Sequence, residues 1–191
     1  MIKCLEMEIE MVKVDLNSVD SKKKNAITDF HLPRFYEITN VGLYLEQTVK
    51  FINNYLKPLG EPEITGSMAS NYVKHKLLQN PIKKQYYTEH IARLIFITIM
   101  KNSMSMDNIT LLMELQKAQY DPEMAYDYFC DEFENVLSYV FDNANEIKTI
   151  GKIHSETKDL LTTAIIAVAN RIYLDRCLDD FRNDESRGNN L

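Results

Sequence analysis

The chain has 191 residues, 45% of them hydrophobic and 26% charged, with a formal net charge of −6 at pH 7, which is ordinary for a soluble globular protein of one compact domain or two small ones. Five Gly and five Pro against 8 Phe and 11 Tyr exclude a loop-rich sandwich or a disordered chain and predict long helices. Cys4, Cys130 and Cys177 are odd in number, far apart and without CxxC spacing, which excludes a disulfide scaffold and suits a reducing cytoplasm.

In chain order, residues 1–31 read as an N-terminal arm or linker. Leu5, Met7, Ile9 and Met11 alternate with Glu6, Glu8 and Glu10 as in a strand, while Ile2, Leu5, Ile9, Val12 and Leu16 fit a helix nearly as well. The run Lys22, Lys23 and Lys24 is linker-like. After Leu32-Pro33, the positions Leu45, Val49, Ile52 and Leu56 predict a helix over 43–56, ended by Pro58, Gly60 and Pro62. Thr65 or Ser67 caps the next helix, expected over 67–78 and stopped by Asn80-Pro81. A short basic hairpin is expected over 79–87. Thr88 is expected to cap a helix with Ile91, Leu94, Ile95 and Ile99 inward, and Ser105 another with Ile109 and Leu112 inward.

Beyond Asp121-Pro122, Tyr126, Phe129, Phe133, Val136, Leu137 and Phe141 stripe a long acidic helix whose carboxylates read as a solvated face. Ser155 opens a second long helix, apolar over most of its circumference, so that it is expected to be buried on more than one side. These helices form a predicted dimerisation or partner module over 119–182, where a protein or small-molecule effector is also expected, followed by a flexible tail over 183–191. The longest apolar stretches, Leu94 to Met100 and Ala164 to Ala169, are far short of a bilayer span, and no basic-then-apolar leader is present. The protein is therefore expected in the cytoplasm, with no membrane segment.

Helix, basic hairpin, helix, helix over Thr65 to Leu112 is the order of a winged helix-turn-helix, which points to DNA. A recognition helix places short polar side chains from its first turns against base edges, while lysines hold phosphates. Ser67, Ser70, Asn71 and Lys74 fall on that outward part. Asn71 suits adenine, and Lys74 suits guanine or phosphate. Lys76, Lys83 and Lys84 add salt-sensitive affinity, and Tyr86 packs the hairpin base or bonds a phosphate. Charge is distributed to match: Lys74, Lys76, Lys83 and Lys84 meet only Glu89 between Thr65 and His90, whereas the span from Tyr120 to Ile150 is strongly acidic.

The series Met68-Ala69-Ser70-Asn71-Tyr72-Val73-Lys74, Leu77-Leu78, Pro81 with Lys83-Lys84-Gln85-Tyr86, Glu89-His90-Ile91, Leu94-Ile95 and Ser105-Met106-Asp107-Asn108-Ile109 resembles the DNA-binding domain of MerR-type regulators. More closely, it resembles a bacterial family of unknown function with a MerR-like domain, from about Leu32 to Leu115. The resemblance implies a mainly α protein, with a MerR-like winged helix-turn-helix over 32–118 and a small β-hairpin wing. MerR-type recognition helices carry an arginine and paired tyrosines where this chain has Ser70, Asn71 and Tyr72, so no base preference carries over. The connection Lys57 to Ile64 is longer than the usual tight turn.

His31, His75, His90 and His154 have no partner at ligand spacing, so no metal and no cofactor are expected. No phosphate loop, nucleophile elbow or Cys/His pair is present, and the protein is not expected to be an enzyme. The Met100, Met104, Met106 and Met113 run reads as core filling. The leading expectation is a homodimeric transcriptional regulator of double-stranded DNA. The alternative is a protein-interaction module on a winged scaffold, and a weaker third is an enzyme with a pocket between the Phe129 and Ile165 helices.

Overall fold

In the computed structural model the described residues are 27, 30–142, 147, 148, 150 and 155–188. The N-terminal arm up to residue 26, Cys4, His154 and residues 189–191 lie outside them. After a helical Ile27, the described elements run from a 3-10 turn at Phe35–Glu37 to a two-residue strand β1 (Leu43–Tyr44), which leads directly into helix α1 (Leu45–Leu56). There follow α2 (Gly66–Lys74), strand β2 (Gln85–Tyr86), α3 (Thr88–Met100), α4 (Met106–Lys117), α5 (Pro122–Asp142) and α6 (Glu156–Gly188). The molecule is mainly helical, as composition implied. α6 continues as helix through Asn183 to Gly188, where a frayed tail was expected.

Side-chain caps fix most helix starts. Thr65 accepts from the Met68 amide at 3.2 Å, Ser105 from Asn108 at 3.2 Å, Asp121 from Met124 at 2.9 Å and Ser155 from Lys158 at 3.3 Å. Each such cap contributes about 1 kcal/mol. Thr88 differs from expectation: the cap position is Tyr87, and the Thr88 hydroxyl donates to the Thr39 carbonyl at 3.1 Å, tying α3 to the segment before β1.

α3 is the central rod, with every residue from His90 to Met100 except Arg93 buried. It meets α1 and β2, and also α5 and α6. Phe96 meets Phe129 edge-on at 4.9 Å, and Phe129 stacks on Phe133 at 5.7 Å. Buried residues from Ile27 to Ile172 form one continuous cluster, so the two modules read from the sequence share a single core.

The acids of α5 are less solvated than expected. Glu134 receives the Leu32 amide at 2.8 Å and both terminal nitrogens of Arg34 at 2.7 and 2.9 Å, and it also meets His31 Nδ1 at 3.0 Å. Asp131 adds a 2.9 Å contact to Arg34, and Asp127 accepts the Phe35 amide at 2.8 Å. A carboxylate that takes a guanidinium fork and a backbone N–H together fixes both angle and register. These side chains strap the leading segment onto α5.

Candidate nucleic-acid interface

α2 has two faces. Ala69 and Tyr72 are buried, while Ser67, Ser70, Asn71 and Lys74 are exposed at successive helical spacings and form one solvent stripe. None of these exposed side chains bonds to another described residue. Tyr72 belongs to the core, as its place in the pattern implied.

The helix is shorter than the expected 67–78. It stops at Lys74 because Lys76 turns left-handed, with φ 61°. The Leu77 amide then bonds Tyr72 O at 3.0 Å, and the Lys76 amide bonds Val73 O at 3.0 Å. That is the Schellman arrangement, usually built on glycine. It buries Leu77 and Leu78 and leaves Lys76 on the surface just past the helix end.

The hairpin is equally tight. Ile82 and Gln85 exchange amide bonds of 3.0 and 2.9 Å around Lys83 (φ 50°) and Lys84 (φ 66°). Two positive-φ residues in a two-residue loop define a type I′ turn, which favours Asn-Gly. Left-handed backbone costs a residue with a Cβ roughly 1–2 kcal/mol. Among the described residues, every non-glycine with positive φ is a lysine of this patch: Lys76, Lys83 and Lys84. All three side chains are exposed.

The hairpin is held against α1 by antiparallel pairing of Leu43 with Tyr86 and of Tyr44 with Gln85. Gly42 permits this approach, since a Cβ there would lie 2.8 Å from Gln85 Cβ and 2.9 Å from the Tyr87 ring. The pairing turns Tyr86 inward, toward the hairpin-base packing that was one of its two expected roles. It is only 4% exposed and meets His90 edge-on at 5.9 Å, so its ring packs the hairpin base. Burial also raises its hydroxyl pKa, keeping it a neutral phenol.

His90 is a positioning residue missed at the sequence level. Its Nδ1 lies 3.2 Å from the Tyr87 amide and its Nε2 lies 3.3 Å from Asn80 O, so the Nε2–H tautomer satisfies both and clamps the two ends of the hairpin. The signal was its place three residues past the cap of α3. Asn53 does the same for the long α1–α2 connection. Its amide donates to Ile64 O and accepts from Ile64 N, both at 2.9 Å. Gly60 (φ 73°) makes the left-handed step in that connection. Ser67 and Ser70 consequently line a groove against α1, opposite Glu46, Lys50 and Asn54, while Asn71 stands outside it.

Among the described residues no helix is long and apolar enough to cross a membrane. No curated protein and no solved structure matches the chain. A family described as a domain of unknown function (DUF1836) matches residues 33–129, from Pro33 in the strapped segment through both strands and α1 to α4, ending at Phe129 in α5. That span covers the paired hairpin, the exposed stripe of α2 and the start of α5, and the chain belongs to that family.

Proposed function

We propose that the protein is a DNA-binding transcriptional regulator that reads duplex DNA with α2 and holds the backbone with the Lys83-Lys84 hairpin, as a MerR-like wing. The observation that carries this reading is the exposed stripe Ser67, Ser70, Asn71 and Lys74, without a partner among the described residues, beside three lysines on left-handed backbone. Strained backbone held by surrounding structure is concentrated at functional sites. Asn71 supplies a bidentate match to adenine, and Ser67 and Ser70 reach neighbouring edges. Lys74, Lys76, Lys83 and Lys84 supply sequence-independent phosphate contacts.

Two copies acting together fit the rest of the chain. On α6, Leu160, Leu174 and Leu178 are 53%, 55% and 42% exposed and lie along one stripe, away from the buried face of Leu161, Ile165, Val168 and Ile172. A homodimer that covers this stripe presents two reading heads to two half-sites in the cytoplasm. The alternative of a protein-binding scaffold drew on the Lys83/Lys84 region together with the acidic face of α5. Asp127, Asp131 and Glu134 of that face are engaged within the chain, which favours DNA.

The test is duplex binding as a function of salt. Lys83→Glu with Lys84→Glu is expected to weaken binding to every sequence at least about tenfold near physiological salt, and to flatten the salt slope. Asn71→Ala is expected to change which genomic sites are footprinted, paired half-sites giving way to a relaxed set. Unchanged binding by the double reversal overturns the reading.

A further inference from the structure

We propose that the cleft between α3, α4 and α5 is a binding site for a small amphiphilic carboxylate, with its apolar end inside and its carboxylate on Arg93 and Lys117. The walls are Ala92 and Phe96 from α3, Met113 from α4, and Ala125 and Phe129 from α5, around a cavity of about 70 Å³. An unfilled apolar cavity forfeits dispersion contacts that an apolar group of matching size restores. A cavity of roughly 150 Å³ in another protein admits a benzene ring, so this one takes a branched alkyl end or the edge of a ring. The remainder lies in the open mouth, beside Phe35 and Tyr120.

The rim selects the head group. Arg93 uses Nη2 for Glu89 Oε1 at 2.9 Å, and its Nε and Nη1 bond no described residue. Lys117, at the end of α4, is exposed and has no partner among the described residues. Glu89, the one acid on the rim, is already offset by Arg93. A single carboxylate suits a guanidinium edge and an ammonium together, whereas a cation would be repelled and a neutral carbonyl would give the same donors a weaker acceptor.

The position gives the site a consequence. Arg93 lies one helical turn after His90, which clamps the hairpin, and Phe129 lies on the helix that straps the leading segment. A ligand between them favours whichever arrangement of α3 against α5 shapes the cleft best.

The experiment is ligand-detected NMR on the full chain with isovalerate and phenylacetate, each paired with its neutral amide and with no DNA present. Its outcome is thus separate from that of DNA binding. Saturable binding of at least one acid is expected, with its amide about tenfold weaker or more, a difference of about 1.4 kcal/mol. Lys117→Met, a surface change that leaves the core untouched, is expected to weaken the acid by a similar factor. Ala125→Leu, which fills the cleft, is expected to abolish binding. No saturable binding of either acid, equal binding of acid and amide, or an acid affinity indifferent to Lys117→Met overturns the proposal.

Discussion

The two charged regions of this molecule use their charges in opposite ways. Along α5, Asp127, Asp131 and Glu134 are consumed by Arg34 and by the Leu32 and Phe35 amides, partners about a hundred residues away in sequence. Around α2 and the hairpin, the side chains of Lys74, Lys76, Lys83 and Lys84 bond to no other described residue, and three of them stand where glycine or asparagine is the easier residue. These three charges on α5 are explained by the fold, whereas the hairpin lysines occupy left-handed backbone that any residue with a Cβ makes less favourable. The second kind is the better guide to function, because the fold alone gives no reason for it.

The strongest challenge to this contrast is to break the strap. Arg34 is held well above its ordinary pKa, chiefly by its hydrogen bonds to Glu134, and the pair is partly buried. Removing one member leaves the other desolvated and uncompensated, and Glu134 also caps the Leu32 amide. Glu134→Ala is expected to destabilise by about 3 kcal/mol in urea unfolding. A cost below about 1 kcal/mol would place Glu134 among ordinary surface ion pairs and erase the distinction.

The converse test sits on the hairpin. Lys83→Asn with Lys84→Gly installs the residues that a type I′ turn favours and removes two cations. It is expected to stabilise the fold by roughly 1–2 kcal/mol in urea unfolding while weakening duplex binding. Loss of stability in this variant would mean that the lysines serve the fold after all.

These two regions also mark what was legible in the sequence. Helices α4, α5 and α6 were readable because Ser105, Asp121-Pro122 and Ser155 carry cap chemistry beside apolar periodicity. The outward stripe of α2 was readable for the same reason. The early end of α2 was not, since a left-handed Lys76 carries none of the glycine or asparagine signal that marks such a turn. Which of its two expected roles Tyr86 takes was not legible, because the face a strand residue occupies depends on register, and the partner strand is only two residues long. The strap was invisible because amphipathic patterning says which residues point outward and says nothing of a distant segment crossing over them. The proposed DNA-reading role rests on residue chemistry and order alone.

One carboxylate on α5 departs from the pattern and gives the finest test of it. Glu132 is only 4% exposed; Oε1 accepts from the Thr162 hydroxyl at 2.8 Å, and Oε2 has no partner among the described residues. Burial pushes its pKa above the usual carboxylate value, opposed in part by the Thr162 bond and by nearby Lys158. Between the unfolded and the raised folded value the native state holds more protons, so stability falls as pH rises through that window and stays lower above it. Glu132→Gln keeps an acceptor for Thr162 and removes the buried charge. The variant is expected to be modestly more stable than the parent at about pH 8, with the advantage fading toward about pH 4, where the parent carboxyl is also neutral. Urea midpoints for both proteins at the two pH values measure this directly. A gap of constant size would mean that Glu132 is as well compensated as Glu134 and that α5 carries no misplaced charge.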